Sequence, residues 1–147
     1  MTHHPKPNPW NFHNTDHALV SPDQLYQLVY YDLNEIAMGA PLGGLCYLEG
    51  NVEKLKIHEW CGGPPVWHNE GKLLAIPIWE RTALEGTVQK IGIVDLEHLE
   101  LKIFEKTFRV LNLRSFEGKV VRADYQNTDL SFDIEAEKIE VVLKLNE

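Results

Sequence analysis

The sequence predicts an all-β fold built from repeated four-stranded antiparallel units. Three observations lead to that expectation. From Gln24 onward the chain is a series of short apolar runs cut by Gly, Pro, Asn and Asp, and no stretch holds a 3.6-residue period for three turns. Short tracts recur in order. Glu70-Gly71-Lys72 returns as Glu117-Gly118-Lys119, 117 − 70 = 47 positions on. Leu55-Lys56-Ile57 returns as Leu101-Lys102-Ile103, and Gly44-Leu45 with Leu48-Glu49 as Gly92-Ile93 with Leu96-Glu97. The runs also differ in polarity: Leu73–Trp79 and Ile91–Val94 are almost continuously apolar, as strands covered on both faces are. Glu100–Phe104 and Lys138–Leu145 alternate, as strands with one wet face do.

Taken in order, residues 1–23 form an N-terminal His/Pro-rich arm. Pro5, Pro7, Pro9 and Pro22, with His3, His4, His13 and His17, lie in it. Proline fixes φ and removes a backbone donor, so no regular element is expected there. Trp10 and Phe12 are the residues able to pin the arm to the body. Residues 24–147 form one β-repeat domain. Its expected strands are Leu25–Tyr31, Gly44–Leu48, Leu55–Trp60, Val66–His68, Leu73–Trp79 and Gln89–Asp95, then Glu100–Glu105, Arg109–Ser115, Val120–Tyr125, Leu130–Ile134 and Ile139–Leu145. Pro77 cannot donate to a ladder, so the run containing it is expected at a sheet edge.

A period near 47 residues falls within the range of about 40–50 for four-stranded blades. On that spacing the region from Leu25 to Leu145 resembles β-propeller repeats at the level of architecture, without the WD or double-glycine signatures of particular propeller families. The resemblance implies two to three blades per chain. Closed rings hold about 4–8, so it further implies self-association into a homodimer or homotrimer. An antiparallel β-sandwich is the alternative fold.

The 147 residues carry a net charge of −8, from 14 Lys and Arg against 22 Asp and Glu. No basic stripe is present, so neither nucleic acid nor an anionic membrane surface is an expected partner. No apolar run approaches the roughly 18–20 residues that span a bilayer, and no signal-peptide core opens the chain. Cys46 and Cys61 are too few for a disulfide scaffold. A cytoplasmic location is expected.

In the repeat register the inner strands end at equivalent places, and the candidate ligand-binding residues gather there: Tyr31, Asp32, Trp79, Glu80, Arg81, Asp124 and Tyr125. Aromatic faces beside carboxylates and a guanidinium suit a small polar ligand such as a carbohydrate. His58, Cys61 and His68 surround Gly62-Gly63-Pro64-Pro65 at zinc-like spacing, but the repeat sets Cys61 against Phe108, an ordinary core position. His13 and His17 would need a helix that Asn11, Asn14 and Thr15 disfavour. No metal or cofactor is expected. Trp60 and Trp67 flank the same Gly-Pro turn, either as a binding loop or as end caps of a sheet.

Three functions are consistent with this reading. The first is a non-catalytic binding module, a propeller-like ring holding its ligand at a central channel. The second is a small hydrolase or lyase using Asp32, Glu80, Arg81 or Asp124. The third is a protein-interaction scaffold presenting Trp60, Trp67 and the arm. Phosphate loops, zinc helices of the HExxH kind and GxSxG elbows are missing from the sequence, which removes those enzyme classes.

Overall fold

The computed structural model describes residues 6–51 and 53–145. His3, His4 and Pro5 of the arm lie outside the described residues. Among the described residues the chain is all-β and antiparallel, with one 3-10 turn at His17–Leu19. Eleven strands follow in sequence: β1 Tyr26–Glu35, β2 Leu42–Gly50, β3 Leu55–Cys61, β4 Val66–Trp67, β5 Leu73–Thr82, β6 Gly86–Asp95, β7 Glu100–Phe104, β8 Asn112–Glu117, β9 Val120–Tyr125, β10 Thr128–Asp133 and β11 Ile139–Lys144. Each overlaps one of the eleven runs expected from the sequence.

Their assembly differs from four-stranded blades. Seven strands lie in the order β1-β2-β3-β5-β6-β7-β11, with β4 paired to β5 as an eighth member of the same open sheet. The other three form a separate sheet, β10-β9-β8. The two segments related by the repeat therefore enter different surroundings. Strands β2 to β5 stay in one sheet, whereas β6 and β7 belong to the large sheet and β8 and β9 to the small one. The recurring tracts are local solutions. Gly71 and Gly118 of the two Glu-Gly-Lys tracts both adopt positive φ (77° and 58°) in the turn before a strand, where glycine carries no Cβ penalty.

Alternation along the large sheet divides its side chains between two cores. On one face lie Leu28 and Tyr30, Cys46 and Leu48, Ile57 and Cys61, Leu74, Ile76 and Ile78, Val94, and Leu101 and Ile103. Most of them are fully buried, which a bare sheet face could not achieve. Part of the cover comes from the arm, which adds Phe12 and Leu19 to this core, with Ala18 packed against it. Phe12 is fully buried and meets the Tyr30 ring edge-on at 5.0 Å. The opposite face places Ala75, Ile91, Ile93 and Phe104 against Leu113, Phe116, Val121, Ala123 and Phe132 of the small sheet. Gln89, fully buried on β6, ties the chain leading into β8. Its backbone exchanges hydrogen bonds with Phe108 (2.7 and 2.8 Å), and its Oε1 accepts the Leu111 N–H at 2.6 Å.

The expectation for Pro77 is corrected. β5 lies inside the sheet, paired along its whole length with β6. The proline is tolerated because its carbonyl accepts the Gly62 N–H (2.9 Å), so its nitrogen also faces the β3 side. There β3 has ended, and Gly62-Gly63-Pro64-Pro65 loops out before β4 begins. The missing donor coincides with a break in the ladder rather than with a sheet edge. No helix among the described residues is long and apolar enough to cross a membrane.

Candidate functional site

A cleft of about 500 Å³ opens where β1, β2, β3 and β5 meet, lined among others by Asp32, Glu35, Lys56, Glu59, Trp60 and Arg81. Its volume is of small-ligand size. Trp79 and Arg81 alternate with Ile78, and Trp60 with Cys61, so these side chains face away from the first core. Two local features open the cleft. The β1–β2 register shifts between Tyr31 and Asn34, and Asp32 sits there at φ 54°, a left-handed conformation uncommon for a side-chain-bearing residue. Opposite this irregularity are Gly43 and Gly44. A Cβ on Gly44 would lie 2.9 Å from the Tyr31 carbonyl, and one on Gly43 would lie 2.8 Å from Trp60 Nε1 and from Ile36. Neither position has room for a side chain.

The floor is aromatic and cationic. Trp79, 4% exposed, donates its indole N–H to the Leu42 carbonyl at 3.0 Å and lies 5.9 Å from the Trp60 ring. The Arg81 guanidinium stands over Trp60, 5.0 Å from the ring centroid. Among the described residues it makes no ion pair. Lys56 and Glu59 pair at 2.8 Å on the rim, and the Lys56 ammonium holds the Glu59 carboxyl below its ordinary value. Glu35 accepts the Gly39 N–H at 2.7 Å. Next to Trp60, His58 accepts the Trp60 N–H at Nδ1 (3.2 Å), and burial pulls its pKa down from the ordinary 6.5.

The seven candidate residues fall into separate groups. Asp32 and Arg81 line the cleft and Trp79 backs it. Tyr31 belongs to a neighbouring patch: its hydroxyl donates to Glu49 (2.7 Å), and Lys54 lies over its ring at 4.2 Å and over Tyr47 at 4.9 Å. Glu80 pairs with Lys90 at 2.6 Å, beside Glu140. Asp124 and Tyr125 lie on β9 of the other sheet. Asp124 pairs with Arg114 at 3.2 Å, and the Tyr125 hydroxyl accepts the Arg109 N–H at 3.0 Å. They adjoin a second cleft, of about 670 Å³, which Trp10 and Asp124 help to line. The seven therefore do not converge on one channel.

Sequence reasoning singled out Trp60, but with Trp67 rather than with Arg81. Trp67 instead donates its indole N–H to the Ala18 carbonyl (2.9 Å) and holds the arm. Lys56, Glu59 and Glu35 had no distinguishing signal. The paired glycines 43 and 44 were the readable sign of a close approach. His58, Cys61 and His68 are not a ligand set. Cys61 is fully buried in the first core, whereas His68 stacks edge-on against Phe116 at 4.9 Å and bonds the Gly118 carbonyl at 2.8 Å through Nε2. Its Nδ1 accepts the Glu70 N–H at 3.1 Å, which fixes the proton on Nε2. Asp95, Glu97 and His98 bring ligand atoms within 4.8 Å of one another, but Asp95 Oδ1 already accepts the Glu97 and His98 N–H groups of their turn.

Fold and cleft together describe an antiparallel two-sheet protein with an aromatic-floored, charged cleft at an irregular strand. Comparisons with protein-family models, with curated proteins and with solved structures gave no match.

Proposed function

We propose that this protein is a non-catalytic binding module whose β1–β2–β3–β5 cleft takes a small polar ligand: a carbohydrate bearing an acidic group. One observation carries the reading. In a chain of net charge −8, Arg81 stands in a cleft, steadied by Trp60 and without a carboxylate partner among the described residues. A guanidinium held on an aromatic face and left unpaired is suited to bidentate binding of a carboxylate or phosphate. Asp32, Glu35 and Glu59 would repel a bare anion but accept hydroxyl protons, so a polyhydroxylated acid fits the lining better than a simple anion does. The Trp60 face is occupied by Arg81, so the acid group rather than ring stacking is the main anchor.

Calorimetric titration with glucuronate, glucose 6-phosphate and glucose tests this reading. The two acidic sugars are expected to bind, glucose at least about tenfold more weakly, and Arg81→Gln to remove the preference. Equal binding of all three, or an Arg81→Gln variant that keeps the preference, refutes it.

Self-association is the second part of the proposal. In place of stacked blades forming a ring, the large sheet ends on β11, where Ile139, Val141, Val142 and Leu143 are 37–46% exposed. The Leu145 N–H bonds Leu99, so by alternation the Val142 backbone groups face away from β7. A second copy pairing there would supply the partner strand.

A further inference from the structure

We infer that the second cleft, between the arm and the β9–β10 turn, is a separate binding site for a neutral saccharide. Its platform is Trp10, held at the tip of a turn in which Asn8 and Asn11 exchange backbone hydrogen bonds of 2.9 and 3.1 Å. Asn8 Oδ1 accepts the Trp10 N–H at 2.9 Å, and the Pro9 carbonyl accepts the Leu42 N–H at 2.9 Å. The turn is thus fastened to β2, yet Trp10 remains 52% exposed. No other ring and no cation covers the indole among the described residues. That distinguishes it from Trp60, whose face Arg81 occupies.

Around the indole the lining is of the kind that hydroxyl groups need. Asn112, Gln126 and Asn127 border the cleft, and none of their side-chain amides has a hydrogen-bond partner among the described residues. Planar amides donate and accept at once, which matches a vicinal diol. Gln126 and Asn127 form the two-residue turn between β9 and β10, both at positive φ (51° and 64°), so their side chains rest on a fixed backbone. Val110 gives the cleft an apolar patch for the C–H face of a sugar ring. The charges point to a neutral ligand. Each charged side chain that lines the cleft is already engaged: Asp124 and Asp129 by Arg114 at 3.2 and 2.7 Å, and Arg109, which donates to the Glu85 carbonyl at 3.3 Å, so a neutral ligand breaks none of these contacts. The site is about 670 Å³, large enough for more than one sugar ring.

The inference is independent of the Arg81 cleft. Its test follows the Trp10 indole N–H by NMR while maltotriose, cellotriose and N,N′,N″-triacetylchitotriose are added, with a polyproline peptide as the competing aromatic-groove ligand. At least one trisaccharide is expected to move the Trp10 resonance saturably. Measured by calorimetric titration with the same saccharide, Trp10→Ala should weaken binding about tenfold or more, while Trp10→Phe should restore part of the affinity. Asn127→Gly keeps the left-handed turn and removes one amide, so a loss of about threefold to tenfold is expected. Arg81→Gln should leave this response unchanged even though it abolishes the acidic-sugar preference. The inference is overturned if no trisaccharide shifts Trp10, if only the peptide does, or if affinity survives Trp10→Ala.

Discussion

At the scale of single residues, His58 links the cleft to pH. Its imidazole is neutral when it accepts the Trp60 N–H, and burial disfavours its charged form. A base whose folded pKa is depressed stabilises the fold fully above its unfolded value of 6.5, and that stability is lost as pH falls below it. His98 works in the opposite sense, because Asp95 raises its pKa and favours its charged form below the same value. The wild type minus His58→Gln difference in unfolding free energy isolates the first effect. It is expected to decline from pH 7.5 to pH 5, and a flat difference would remove His58 as the cause. Gly43 gives a second prediction. Its alanine variant would press on Trp60 and Ile36 at 2.8 Å, closing the cleft and costing about 1–3 kcal/mol in a denaturant titration.

Secondary-structure elements depend on two fastenings. Phe132 on β10 is buried between Phe104 at 5.1 Å and Phe108 at 6.2 Å, where the two sheets meet. Phe132→Ala is expected to cost about 3–5 kcal/mol of global stability, measured by urea unfolding. β11 is fastened differently. Lys90, with its side chain only 7% exposed, reaches Glu140 at 2.8 Å and Glu80 at 2.6 Å. Burial alone would lower the Lys90 pKa, but hydrogen bonds and charge from the two glutamates outweigh it and raise it. Lys90→Met should therefore loosen β11 selectively: amide exchange of Leu143 and Leu145, whose N–H groups face β7, accelerates while β5 and β6 stay protected. Uniform acceleration across the sheet would show instead that Lys90 supports the whole fold. At this scale the sequence was most readable. Alternation in Glu100–Phe104 and the turn residues around Gly71 and Gly118 identified strands because those signals are local.

For the whole molecule, the proposed self-association is tested at the β11 edge. Sedimentation at micromolar concentration is expected to give a dimer, with Val142→Lys returning it to a monomer. A monomeric wild type would remove the self-association reading while leaving both clefts untouched.

By itself, the sequence determined an acidic all-β chain, eleven strands and the turns between them, because strand alternation and left-handed glycines are properties of a few neighbouring residues. It also named seven candidate residues near strand ends, of which Asp32 and Arg81 line one cleft and Trp79 backs it while the other four lie elsewhere. Only the tertiary structure decided that the strands divide into sheets of eight and three, that Arg81 rests on Trp60, and that Asp124 and Trp10 line one cleft. Those pairings join residues far apart in the chain, and a two-residue alternation leaves the choice of partner strand open. The recurring tracts fixed the shape of individual turns and strands, whereas burial of the two cores chose which strands became neighbours.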